Sequence, residues 1–167
     1  MTGAEPGTFE VGGGRLVSRL LLVPEGARIL SVLAHGAGVG MNHRAMKEVA
    51  SGLAGRGVAS FRYNFPFMEQ GAKRPDPPAL CHAAVRAAVA EAARLAPGLA
   101  LVAGGRSFGG RMTSQAQALS PLPGVLGLVF LAFPLHPAGR GASAAATSST
   151  CACPCCFCRG RATGSPI

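Results

Sequence analysis

The sequence is poor in aromatic and acidic residues. It contains no Trp and one Tyr, and 7 acidic residues stand against 16 basic ones, so the formal net charge is +9. Most of the basic residues are Arg scattered among Gly and Ala, and no basic stripe with interleaved aromatic side chains is present. Because nucleic acids are commonly bound by stripes of that kind, we expect no nucleic-acid partner.

Long apolar runs are missing as well. No segment reaches the ~18 to 20 consecutive apolar residues that a membrane span requires. Residues 1–14 lack the basic segment and apolar core of a secretory signal. These absences predict a cytoplasmic protein without a membrane partner. Cysteine is scarce in the body of the chain, where Cys81 is the only one before residue 151, so cysteine usage does not indicate a redox compartment.

Apolar segments with strand character alternate with helical segments over most of the chain. The strands are apolar throughout, as expected for a sheet that is covered on both faces. The alternation predicts one α/β domain with a mostly parallel sheet and helices on both faces. Predicted strands lie within residues 15–26, 27–38, 57–66, 99–105 and 124–134, and predicted helices within 43–56, with Asn42 as N-cap, 79–95 and 112–119.

The segment LALVAGGRSFGG at residues 99–110 carries the strongest motif. An apolar strand leads into Gly-Arg-Ser-Phe-Gly, and a helix-compatible sequence follows. This order is typical of a nucleophile elbow, a tight strand-to-helix turn that presents a serine hydroxyl. Gly105 and Gly109 are expected to remove Cβ atoms that would clash in such a turn. We therefore predict that Ser107 is a catalytic nucleophile.

A His-Gly-Ala-Gly sequence at residues 35–38 follows an upstream strand. Two backbone N–H groups aimed at one oxygen stabilise the negative charge of a tetrahedral intermediate. At an elbow of this kind, one group comes from the residue after the nucleophile and the other from such an upstream loop. We predict Phe108 as the first donor and Ala37 or Gly38 as the second. His35 is expected at a strand end, orienting the loop by hydrogen bonds.

Further polar residues are expected near the carboxyl edge of the sheet, where α/β folds bind ligands. His43 either lines the cleft as a substrate contact or simply starts a helix. Arg106 and His136 are also candidate substrate contacts. Glu69 and Asp76 are expected to form salt bridges with nearby Arg residues. No pattern here predicts a cofactor.

The character of the sequence changes at residue 139. Residues 140–167 have no periodicity, and five cysteines lie between Cys151 and Cys158. They form no paired CxxC modules at zinc-finger separation, so we expect no metal site. A disordered tail is the plainer interpretation. Out-of-frame translation explains more: with GC-rich codons, the same nucleotides read two positions later can spell RVPMLLLQGTRDRLAD, an apolar strand and a turn.

Four motifs occur in order along the chain: LAHGAGVGMNHRAM, RYNFPFMEQGAKRPD, GGRSFGGRMTSQAQA and GLVFLAFPLHPAG. Together they resemble the α/β-hydrolase-like family that includes testis-expressed protein 30, a related domain of a chromatin-complex subunit and dienelactone-hydrolase-like bacterial proteins. The resemblance covers about residues 7–139 and implies an α/β-hydrolase fold with Ser107 as nucleophile. It also implies a downstream strand bearing the triad acid and a later histidine, and no acidic residue or His follows residue 139. Residues 1–139 are thus expected to form the N-terminal two-thirds of such a domain, incomplete at its C-terminus.

The leading hypothesis is a serine hydrolase that acts on a small ester or a related acyl substrate. Loss of the general base of a serine triad costs orders of magnitude in rate, so a chain without acid and base is expected to be nearly inactive. The alternative is a non-catalytic module of the same fold that binds a protein partner.

Overall fold

The structure is a computed structural model that describes residues 3–133 and 156–157. Its strands and helices follow one another in the order β1 (Glu5–Glu10), β2 (Leu16–Leu22), β3 (Ile29–Ala34), α1 (Arg44–Ala54), β4 (Val58–Tyr63), α2 (Pro66–Glu69), α3 (Pro78–Leu95), β5 (Ala100–Arg106), α4 (Phe108–Leu119), β6 (Val125–Leu131) and β7 (Cys156–Phe157). Among the helices described, none has both the length and the apolar character needed to cross a membrane.

The seven strands form one mixed sheet in the order β1-β2-β4-β3-β5-β6-β7. β2 is antiparallel to both of its neighbours, and the other pairs are parallel. The chain moves one way along the sheet from β3 to β4 and the other way from β4 through β6. Because such crossovers are right-handed, α1 covers one face of the sheet while α3 and α4 cover the other. The predicted α/β fold with a mostly parallel sheet is confirmed.

An aromatic cluster forms the core between the sheet and α3. Its members are fully or almost fully buried, and they pack mainly edge to face or tilted: Phe9, Phe61, Tyr63, Phe65 and Phe67. The small residues Ala84 and Ala88 of α3 are fully buried in the same core. Burial raises the pKa of Tyr63 above its ordinary value.

Two elements within residues 3–133 were not predicted from the sequence. β1 contains Pro6 and Gly7, which disfavour strands, but it lies at the sheet edge, where both are tolerated. α2 begins at Pro66, directly after a segment that reads as the end of a strand. Proline suits the first turn of a helix, since its missing N–H needs no partner there.

Two local predictions were wrong. The N-cap of α1 is His43 rather than Asn42, since His43 Nδ1 accepts a hydrogen bond from the Ala45 N–H at 3.2 Å. Glu69 and Asp76 form no ion pair with Arg in residues 3–133. Both carboxylates instead accept backbone N–H groups. Glu69 accepts that of Ser18 in β2, and Asp76 accepts that of Phe67 in the first turn of α2, where N–H groups lack partners within the helix.

Of the predicted tail at 140–167, the structure describes only β7. Its two residues pair in parallel with Leu128 and Val129 of β6. The expectations of disorder and of an out-of-frame origin for the segment therefore stay predictions, and the cysteine side chains weighed as zinc ligands lie outside the described residues.

Candidate active site

The junction between β5 and α4 is a strained turn centred on Ser107. This residue has φ 49° and ψ −107°. A positive φ of this size is rare for residues other than glycine. Its N–H donates to the Leu131 carbonyl of β6 at 2.9 Å, and its carbonyl accepts the Arg111 N–H at 3.1 Å. The residue is partly exposed. The turn thus presents a serine at the carboxyl edge of the sheet, held by the neighbouring strand.

Glycine is required on both sides of this turn, as the sequence predicts. A Cβ on Gly109 would lie 2.5 Å from the His35 carbonyl oxygen and 2.6 Å from the Ala34 carbonyl carbon. A Cβ on Gly105, whose φ is 158°, would clash with Ala34 as well. The start of α4 therefore packs directly on the backbone at the end of β3.

The loop after β3 begins with a buried histidine. The ring of His35 is fully buried; its Nε2 accepts the Phe65 N–H at 3.0 Å, and its Nδ1 lies 2.7 Å from the Gly36 carbonyl. Since Nε2 is the acceptor, Nδ1 carries the proton and donates a hydrogen bond to the Gly36 carbonyl. Burial lowers the pKa of this imidazole, although the bond to Gly36 opposes the shift. The ring is neutral and both nitrogens are occupied, so His35 orients the loop, as predicted.

The glycine loop and the serine turn lie side by side. β3 and β5 are paired in register up to Ala34 and Gly105, and a Cβ on Gly36 would lie 3.9 Å from the Arg106 carbonyl oxygen. The N–H groups of three residues donate to no atom of residues 3–133: Ala37, Gly38 and Phe108. Unpaired amides at a helix N-terminus and in an adjacent loop are suited to bind an oxyanion.

A family model described as an alpha/beta hydrolase domain matches residues 27–163 of the chain. The chain belongs to the alpha/beta hydrolase family. No curated protein matches this family member significantly.

Solved structures of other proteins share the alpha/beta hydrolase fold with this chain. A dienelactone hydrolase from Anabaena variabilis superposes with a TM-score of 0.64 at 22% identity, over 76% of this chain and 62% of its own. An alpha-beta serine hydrolase homologue from Coxiella burnetii has a TM-score of 0.67 at 18% identity, over 83% of this chain and 67% of its own. A serine hydrolase without a lid from Xanthomonas campestris has a TM-score of 0.67 at 20% identity, over 86% of this chain and 66% of its own. The chain thus spans about two thirds or less of the length of these relatives.

Of the other predicted site residues, His43 and Arg106 adjoin the paired loops along the chain, and His136 is not among the described residues. In this alpha/beta hydrolase domain, His43 is exposed and its side chain caps α1, which is the helix-start role considered for it from the sequence. Arg106 is the partly buried last residue of β5, next to Ser107. His136 lies outside the described residues.

The hydroxyl of Ser107 has no basic partner in the described part of the chain. Within residues 3–133, it forms no hydrogen bond with a His ring or a carboxylate. His82 is engaged elsewhere, with Nε2 3.2 Å from Gln115 Oε1. Residues 3–133 therefore supply a nucleophile position and amide donors, without a general base in contact.

Two polar residues at the end of β4 hold the glycine loop, a role that was not predicted from the sequence. Arg62 and Asn64 bind the two backbone groups of Met41, at the end of the glycine loop. The sequence shows that both polar residues lie in the second half of the predicted strand at 57–66. It does not show their partner, because that contact joins residues more than twenty positions apart.

Proposed function

We propose that this chain carries the acylating half of a serine hydrolase site for small esters or related acyl compounds. One observation supports it most: Ser107 occupies a strained, partly exposed turn beside three unpaired amides. Such strain persists where the surrounding structure over-determines it, and it concentrates at functional sites.

In the proposed reaction, Ser107 Oγ attacks the acyl carbon of the ester. The carbonyl π bond breaks, and the Phe108 amide with that of Ala37 or Gly38 stabilises the resulting oxyanion. The C–O bond to the leaving alcohol then breaks as the oxyanion collapses, and the proton lost by Ser107 passes through solvent to the alcohol. Water later attacks the acyl-enzyme, which releases the acid and restores the serine. Arg106 and His136 are proposed to contact the substrate.

Turnover by this chain is expected to be slow, because the described residues give Ser107 no base. On the basis of its four ordered motifs, we assign the chain to the branch of the family that includes testis-expressed protein 30. We also propose that it is located in the cytoplasm. Removing triad members leaves a residual rate that comes from the oxyanion site and binding. The proposal therefore predicts measurable acylation of Ser107 and slow release.

A fluorophosphonate tests this directly. Ser107 Oγ forms a bond to phosphorus, fluoride leaves, and the hydroxyl proton passes to solvent. We expect stoichiometric labelling of the peptide that contains Ser107 over hours, and acceleration by added imidazole, which can act as the base. Intact mass and peptide mapping check both.

Ser107→Ala is the test variant and Ser114→Ala, within α4, is the matched control. Labelling lost in the first and retained in the second supports the proposal. Equal labelling of both variants, or none in the folded wild-type chain with or without imidazole, contradicts it. The second result favours the alternative, a non-catalytic module that binds a protein partner.

A further inference from the structure

The glycine loop is held at both ends by the segment that leaves β4. Its start is fixed by the His35 ring, which accepts the Phe65 N–H. Its end is fixed at Met41, whose N–H donates to Asn64 Oδ1 at 2.8 Å and whose carbonyl accepts from Arg62 Nη1 at 3.1 Å. Both ends of one loop therefore depend on four consecutive residues, 62–65.

The side-chain amide of Asn64 has only one workable orientation. Its Nδ2 donates to Glu69 Oε1 at 2.9 Å, and the same carboxylate oxygen accepts the Ser18 N–H at 2.8 Å. A flipped amide would turn its oxygen toward that carboxylate and its NH₂ toward the Met41 N–H, and both contacts would be repulsive. Glu69 thus fixes Asn64 as an acceptor for the loop.

Arg62 is buried, and its charge has no carboxylate partner in residues 3–133. The residue is 5% exposed, and its Nε is buried without a hydrogen bond. Burying an unpaired charge is costly. The one hydrogen bond that the guanidinium makes in this region goes to the Met41 carbonyl. Within residues 3–133, the contact with Met41 is therefore the hydrogen bond that offsets part of this cost.

Between these anchors the loop makes a turn. The Val39 N–H donates to the Gly36 carbonyl at 3.3 Å, and the two intervening amides stay unpaired in the described residues. We propose that Arg62 and Asn64 are positioning residues, which act through Met41 to hold these amides where the oxyanion of the proposed reaction forms. The catalytic part of this inference rests on the proposed function, whereas the hold on the loop rests on the hydrogen bonds at His35 and Met41.

The test compares Arg62→Met and Asn64→Leu, which keep the side-chain size and remove the hydrogen bonds. Arg44→Met and Asn42→Leu are matched controls on exposed neighbours that do not bond to the loop. Misplacing catalytic groups by about 1 Å can cost about a hundredfold in rate. We expect the maximal rate of phosphonylation at saturating probe to fall by that factor, with the apparent affinity for the probe unchanged.

Hydrogen exchange of the amides at 36–41 gives a second readout, which does not depend on any chemistry at Ser107. We expect faster exchange in both test variants and in neither control. Arg62→Lys keeps a donor for the Met41 carbonyl and is expected to restore part of the rate. If Arg62→Met does not fold, Asn64→Leu and Arg62→Lys still carry the comparison.

Folded test variants whose maximal rate matches that of the controls overturn the proposal, whether or not exchange is faster. A wild-type chain that is not labelled at Ser107 overturns the proposed function instead. The exchange rates then decide alone whether Arg62 and Asn64 hold the loop.

Discussion

His35 is a buried neutral imidazole whose charged form the fold disfavours. Its pKa is lowered from 6.5 in the native state, mainly by burial. Below the unfolded-state pKa, the unfolded chain therefore binds a proton that the native chain does not. Stability is full above that pKa and is lost as pH falls below it.

We expect the free energy of unfolding to decrease from about pH 7 toward pH 5, by up to about 1.4 kcal/mol per pH unit for this one group. His35→Gln offers a donor and an acceptor without titrating, so its profile should be flatter over the same range. Urea titrations at a series of pH values measure both. Equal slopes in the two proteins would show that His35 does not control this pH dependence.

Several residue roles at the site follow from sequence, and others do not. The requirement for Gly105 and Gly109 was predictable, because the motif itself defines a turn with no room for a Cβ. The cap on α1 was not, since Asn42 and His43 are adjacent and either side chain suits a helix start. Arg62 is recognised as a positioning residue only when its distant partner is known.

At the scale of elements, the turn between β5 and α4 holds strain that a glycine would relieve. Ser107→Gly removes the Cβ from a residue at φ 49°, and Ser107→Ala keeps it. We expect the glycine variant to be more stable than the alanine variant by about 1 kcal/mol.

A matched pair within α4 should show the opposite order. Ser114 lies in the helix, where glycine costs about 1 kcal/mol relative to alanine. Chemical denaturation of the four variants measures both differences. The same order at positions 107 and 114 would show that the turn is not strained.

Element types were predictable wherever the apolar pattern was long. Strands β3, β4 and β6 and helix α1 lie within their predicted ranges, and β5 and α3 extend one residue beyond theirs, because buried strands and a proline-initiated helix have strong local signals. The starts of β1 and α2 were not predictable. Both depend on structural position rather than on composition, since a sheet edge accepts Pro6 and the first turn of a helix accepts Pro66.

At the scale of the molecule, β6 presents exposed apolar side chains. Leu126 is 65% exposed and Val129 is 39% exposed. Exposed apolar strands promote association between chains, and lysine on a strand blocks it. We expect Leu126→Lys to raise the concentration at which the protein associates.

Leu119→Lys is the control, because Leu119 is 71% exposed at the end of a helix instead of on a strand. Light scattering over a concentration series measures both variants against wild type. An equal effect of the two substitutions would mean that overall charge, rather than the strand, governs association.

The hydrogen bond from the Ser107 amide to Leu131 has a consequence for biosynthesis. A ribosome makes the serine some two dozen residues before its carbonyl partner. We therefore expect the turn to become fixed only once β6 has been translated and has docked. Nascent chains arrested before that strand should lack an ordered elbow, although every residue of its motif is already present.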